Sequence, residues 1–94
     1  MSRTVRESIE ETREYHLRYL RAVNNPVRRS ILRALKDREM SFEGLLSITG
    51  LEERALRWHL EVLENGFCVE KADRGGTVYY TITKEGKVIE YIDR

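Results

Sequence analysis

Residues 41–66 read SFEGLLSITGLEERALRWHLEVLENG, and this stretch decides the fold. Ser41 is placed to cap a helix, its hydroxyl accepting one of the free amides of the first turn, with Leu45, Leu46, Phe42 and Ile48 on the buried side. Gly50 stops that helix. After Gly50-Leu51 the run Glu52 to Glu64 sets Leu56, Leu60 and Leu63 at steps of four and three, with Ala55 and Val62 alongside. A second helix therefore follows a very short turn. Asn65-Gly66 is expected to end it in the left-handed conformation.

Downstream the period changes. Phe67, Val69 and Lys71 alternate with Cys68 and Glu70, and Val78, Tyr80 and Ile82 alternate with Tyr79 and Thr81. These are two strands of a hairpin, with Ala72 to Thr77 between them and Gly75-Gly76 at its tip. Tyr80 should join Val78 and Ile82 in the core while Tyr79 covers the outer surface. Thr83 caps a short last helix, Lys84 to Ile92, with Val88, Ile89 and Ile92 on one side.

Upstream, Ser2 to Val23 carries Val5, Ile9, Thr12, His16, Tyr19 and Val23 at alternating steps of four and three, widened by Leu20. Arg6, Glu10, Arg13, Glu14, Arg18 and Arg21 are read as its solvated face. Such a helix would be about 30 Å long, as long as a domain this small is wide, so part of it has no wall of its own to lie against. Asn24-Asn25-Pro26 interrupts it, and a further helix starts near Pro26 with Val27, Ile31, Leu32 and Leu35 buried. The expected class is mainly α with a small β-hairpin.

The whole chain of 94 residues, with 17 Lys and Arg against 16 Asp and Glu, then reads as one domain. Its parts are a helix over 1–23, a core over 24–82 and a last helix over 83–94. A chain of this size buries only about 60–65% of its unfolded surface, so a partner subunit would add stability. No apolar run approaches the roughly 20 residues that span a bilayer, and the Arg/Glu-rich N-terminus lacks the apolar block of a signal peptide, which points to the cytoplasm. One cysteine, Cys68, excludes an internal disulfide and is read as a small buried hydrophobe. With only His16 and His59 beside it, no zinc spacing exists, and no metal or other cofactor is expected. No nucleophile, base and orienting acid fall into a recognisable arrangement and no glycine-rich phosphate loop follows a strand, so catalysis is not expected.

The order of two short helices, a tight turn and a glycine-ended hairpin matches a winged helix-turn-helix. Ser41 to Leu46, Gly50-Leu51, Leu56, His59-Leu60, Leu63, Gly66-Phe67 and Val69 resemble the ArsR-like branch of winged-helix transcription regulators. Asn25-Pro26-Val27-Arg28 to Leu35 resembles the helix preceding that motif, and the likeness covers residues 24 to 86. The resemblance implies sequence-specific binding of double-stranded DNA, with contact positions at Glu53, Arg54, Arg57 and Trp58, and a homodimer formed by the terminal helices. It implies no metal sensing, because Glu52 to Leu60 lacks the paired cysteines of metal-sensing members.

The residues make a separate case for DNA. Opposite Leu56, Leu60 and Leu63, the helix after Gly50 presents Arg54, Arg57, Trp58 and Glu61, a face with donors able to reach base edges in the major groove. Yet 41–66 holds two arginines against five glutamates, a balance of −3, whereas 24–40 stands at +3. Glu52 and Glu53 are explained by the positive end of their own helix. Arg28 and Arg29 near Pro26, with Ser41, His59 and, on the wing 71–77, Lys71 and Arg74, are the expected contacts to phosphates or the minor groove. Pairing of two first helices across a twofold axis would bury Val5, Ile9, His16 and Tyr19, with Ile89, Tyr91 and Ile92 close by. The alternative is a winged-helix module that binds another protein through Trp58, Tyr79 and the acidic face.

Overall fold

The computed structural model describes residues 5–92, with side chains over 8–91. Helix α1 (Val5–Val23) ends at the Asn24-Asn25 break and α2 (Pro26–Ala34) begins on the proline. Asn25 caps α2, its side-chain oxygen accepting from the amides of Val27 and Arg28 at 2.9 and 3.1 Å. A two-residue strand, β1 (Met40–Ser41), leads into α3 (Phe42–Thr49), and α4 (Glu53–Asn65) follows. The chain closes with the hairpin β2 (Val69–Arg74) and β3 (Thr77–Ile82), then a 3-10 turn (Gly86–Val88) running into α5 (Ile89–Ile92).

Ser41 caps α3 as read, accepting from the Gly44 amide at 3.1 Å, and Gly50 ends that helix at φ 68°, its amide bound to the Leu46 carbonyl. The Ser41 backbone also pairs with Tyr79, so the three-stranded antiparallel sheet runs β1-β3-β2 with Met40 opposite Tyr80. The sequence reading contained no β1. Two residues carry no alternation, so no periodicity marks them. The hairpin reaches further toward its tip than read, for Ala72 to Arg74 and Thr77 belong to the strands, leaving only Gly75 and Gly76 in the loop at φ 60° and 88°. At its other end β2 begins at Val69, and the expected strand residues Phe67 and Cys68 lie outside it. Two consecutive positive φ values suit the right-handed twist of the strands and strongly favour glycine.

The core joins Ile31, Leu32 and Leu35 of α2, Phe42 and Leu45 of α3, Leu56, Leu60 and Leu63 of α4, and Val69 and Tyr80 of the sheet. Cys68 is fully buried among them. Thr83 caps the last turn through the Gly86 amide at 3.0 Å, but helix forms only from Gly86, shorter than the expected Lys84 to Ile92.

Two further expectations are corrected at the contact between α1 and α4. Gly66 is not left-handed, having φ −94°; the positive φ of 65° falls on Phe67. Glycine at 66 answers a different need, for a Cβ there would stand 2.5 Å from Ala22 Cβ and 2.7 Å from the Arg18 carbonyl. Arg18, read as solvated, instead lies between the rings of Tyr15 and Phe67, at 4.9 and 5.2 Å from their centroids, and donates to Asn65 Oδ1. The inward face of α1 is therefore built from Arg18, Tyr19, Ala22 and Val23, with Tyr15 at its edge against Phe67, while Ile9 and Leu17 are more than half exposed.

Candidate nucleic-acid interface

Helix α4 is amphipathic by its leucine spacing, and its fully buried Leu56, Leu60 and Leu63 fix which way it faces. Arg54, Arg57, Trp58 and Glu61 consequently form an exposed ridge along its outer side. Arg54 makes no hydrogen bond or ion pair among the described residues, so its donors are free for a ligand. Arg57 donates to Glu53 Oε1 at 2.7 Å one turn back, and its guanidinium lies 4.8 Å from the centre of the Phe42 ring. Phe42 thus sets the direction of Arg57, a role the sequence reading gave to neither residue. Trp58 is 49% exposed, with its ring 4.9 Å from that of His59.

The two arginines after Pro26 lie elsewhere than expected. Arg28 is only 5% exposed. Its Nε donates to the Ala22 carbonyl at 3.0 Å, one terminal nitrogen to the Arg21 carbonyl at 2.8 Å, and the other to His59 Nδ1 at 3.2 Å. Arg29 is half-buried and donates to the Val23 carbonyl at 2.9 Å. The break at Asn24-Asn25 leaves the last carbonyls of α1 without helical partners, and these two side chains satisfy them. The reading of Arg28 as a phosphate contact is therefore wrong, and Arg29 commits its Nε within the fold. His59 has its pKa held below the ordinary imidazole value, first by burial and then by the charge of Arg28.

The wing also departs from expectation. Arg74 does not project free from the tip: both terminal nitrogens meet the carboxylate of Glu39 at 2.5 Å, and the guanidinium lies 5.2 Å from the Tyr79 ring centre. Lys71 pairs with Glu64 at 3.7 Å and faces the groove between α1 and β2, so it does not flank Arg74. Ser41 accepts the cap bond with its oxygen and keeps its proton to donate.

Of the side chains expected at a dimer contact, Ile9, at 55% exposure, His16 and Tyr91, at 69%, stand open on the surface. Tyr19 is half-buried, its hydroxyl 3.4 Å from the Glu85 carbonyl. Ile89 is buried in the core of its own chain and has no surface to offer, which overturns its placement in an interface. The side chains of Val5 and Ile92 lie outside the described ones. Leu17, not foreseen, adds a 58% exposed apolar side chain to the outer face of α1.

Comparison with known proteins fits this geometry. A family model described as a helix-turn-helix domain matches residues 23–67, the span from the end of α1 through α4. HlyU from Vibrio cholerae is 33% identical, with 90% of this chain and 95% of that one covered at a TM-score of 0.77. The chain belongs to the ArsR-like winged helix-turn-helix family of transcription regulators. NolR from Sinorhizobium fredii is 29% identical, with coverage of 99% and 94% and a TM-score of 0.76. The fold is shared as well with Mb0332 from Mycobacterium bovis, described as the homodimeric winged helix-turn-helix DNA-binding domain of a possible ArsR-family regulator. That domain is 23% identical, with coverage of 98% and 85% and a TM-score of 0.81. No curated protein matches the chain. Among the described residues no helix is long and apolar enough to cross a membrane.

Proposed function

We propose that this ArsR-like protein is a sequence-specific transcription regulator that binds double-stranded DNA as a homodimer, with α4 in the major groove and the wing against the minor groove or backbone. The observation that carries the reading is the ridge of Arg54, Arg57 and Trp58, exposed on a helix whose other face is fully buried. Arginine forks match the acceptors on guanine in the major groove, each good pair being worth about 1–3 kcal/mol of discrimination. Arg54 and Arg57 read bases in this account, Trp58 contacts the sugar or base edges beside them, and Arg74 reaches from the wing. Glu52 and Glu53 sit at the N-terminal end of α4, where the helix dipole favours them.

The chain acts as one domain over 1–94, in the cytoplasm and without catalysis. Its dimer forms through the outer face of α1, with Ile9, His16 and Leu17, and through Tyr91 of α5. Two copies of α4 related by a twofold axis then enter successive major grooves about 34 Å apart.

Duplex binding measured against salt tests this. Affinity should fall steeply between roughly 50 and 200 mM salt, and Arg54→Ala should lose discrimination between sequences. Binding that ignores salt and both arginines would instead favour a protein partner on this face.

A further inference from the structure

Arg28 links three elements. Two of its donors hold the Arg21 and Ala22 carbonyls at the end of α1, and a third meets His59 on α4, while the guanidinium carbon stands 5.5 Å from the centre of the Trp58 ring. Arginine has no lone pair to offer, so in the bond at 3.2 Å it donates and His59 Nδ1 accepts. An imidazole that accepts at Nδ1 is neutral and carries its proton on Nε2. His59 is half-buried, and Nε2 has no hydrogen bond among the described residues.

Resting on the DNA-binding reading above, we infer that Arg28 is a positioning residue of the recognition helix. It fixes α4 to the end of the pairing helix α1 and locks His59 in the tautomer whose Nε2–H is a neutral donor to DNA. Neutrality matters chemically, because a histidine held this way binds a phosphate or base acceptor as a directional hydrogen bond, without adding to the charge that displaces counterions. The pitch of α4 relative to the twofold axis then depends on one buried side chain that itself never reaches DNA.

Nitrogen-15 spectra of the imidazole in the free protein test the first half without any DNA. The expected result is a proton on Nε2 and an unprotonated, accepting Nδ1; a proton on Nδ1 overturns the inference whether or not the chain binds a duplex. With a mixed-sequence duplex as probe, Arg28→Lys should weaken binding roughly tenfold, within the loss expected for one hydrogen-bonded contact. The slope of affinity against salt should stay as in the native chain, because no phosphate contact is removed. A slope reduced by about 1 would make Arg28 a phosphate contact and contradict the inference.

Two substitutions at 59 keep the test decisive even if Arg28→Lys unfolds. Asparagine places an acceptor where Nδ1 stands and no donor at Nε2, whereas glutamine does the reverse. His59→Asn should keep thermal stability and lose affinity for the duplex, and His59→Gln should lose stability with the smaller loss of affinity. The opposite order overturns the assignment. Failure of the native chain to bind any duplex, with the tautomer as stated, sinks the DNA reading and leaves the geometry of Arg28 standing.

Discussion

Arg74 and Glu39 form a two-point ion pair that ties the wing to the segment before β1, both terminal nitrogens of the arginine meeting the two carboxylate oxygens. Both partners are partly exposed, so the pair is worth about 0–1 kcal/mol. In the DNA account Glu39 competes with the duplex for Arg74. Glu39→Gln should therefore tighten duplex binding severalfold, and the gain should vanish in an Arg74→Ala background, as a double-mutant cycle measures. An equal gain without Arg74 would mean that Glu39 merely repels DNA and that Arg74 is a structural group.

Gly66, just past the end of α4, lies close against α1, and its backbone geometry would tolerate a side chain that its surroundings do not. A methyl group placed 2.5 Å from Ala22 Cβ and 2.7 Å from the Arg18 carbonyl must push the helices apart. Gly66→Ala should cost about 1–3 kcal/mol, lowering Tm by roughly 4–8 °C for each kcal/mol in a domain of this size. Thermal unfolding followed by circular dichroism measures it. An unchanged Tm would mean that the two helices are not packed as described.

How far the sequence alone carries the fold depends on what signals each element sends. The steps of Leu56, Leu60 and Leu63, the Gly50 stop and the alternation around Tyr80 are repeated local patterns, and each is found in the structure. Strand β1 has no repeat to detect, and Glu39 comes near the wing only because Ser41 pairs with Tyr79. The arginines show the sharper limit. Composition counts Arg28 and Arg29 as surface charge, yet a helix broken at Asn24-Asn25 leaves carbonyls that need donors, and these side chains supply them. The exposed ridge of α4 was legible because its opposite face is apolar, and the spacing of four between Glu53 and Arg57 is that of a pair on one helix face. Phe42 under Arg57 and Glu39 beside Arg74 were not, since only the tertiary fold brings them near.

Cys68 sits in the core with its thiol 3.5 Å from the Gly66 carbonyl, and burial first, then the charge of Glu85, pushes its pKa up to about 11. The thiolate is the reactive form, so the folded protein near neutral pH should resist alkylation. Labelling by iodoacetamide should follow the rate or extent of unfolding, rising with denaturant. Rapid stoichiometric labelling of the native protein would contradict the buried assignment.

His59 gives the stability a pH dependence of definite sign. Its folded pKa lies below the ordinary 6.5, so the unfolded chain binds the proton more tightly than the native one. The contribution is complete above the unfolded value, is lost as pH falls from there toward the folded value, and is constant below it. Denaturant unfolding at about pH 7.5 and about pH 5.5 should show a larger loss on acidification for the native chain than for His59→Gln. Equal losses would remove His59 from the account of pH sensitivity.

Selection of duplexes from a random pool by the purified protein tests the central claim most directly. Two recognition helices related by a twofold axis predict an enriched inverted repeat whose half-sites are centred about 10 base pairs apart, and Arg54→Ala should relax the preference within each half-site. A pool that emerges with no enriched sequence, or binding that survives loss of both Arg54 and Arg57, would contradict the placement of α4 in the major groove.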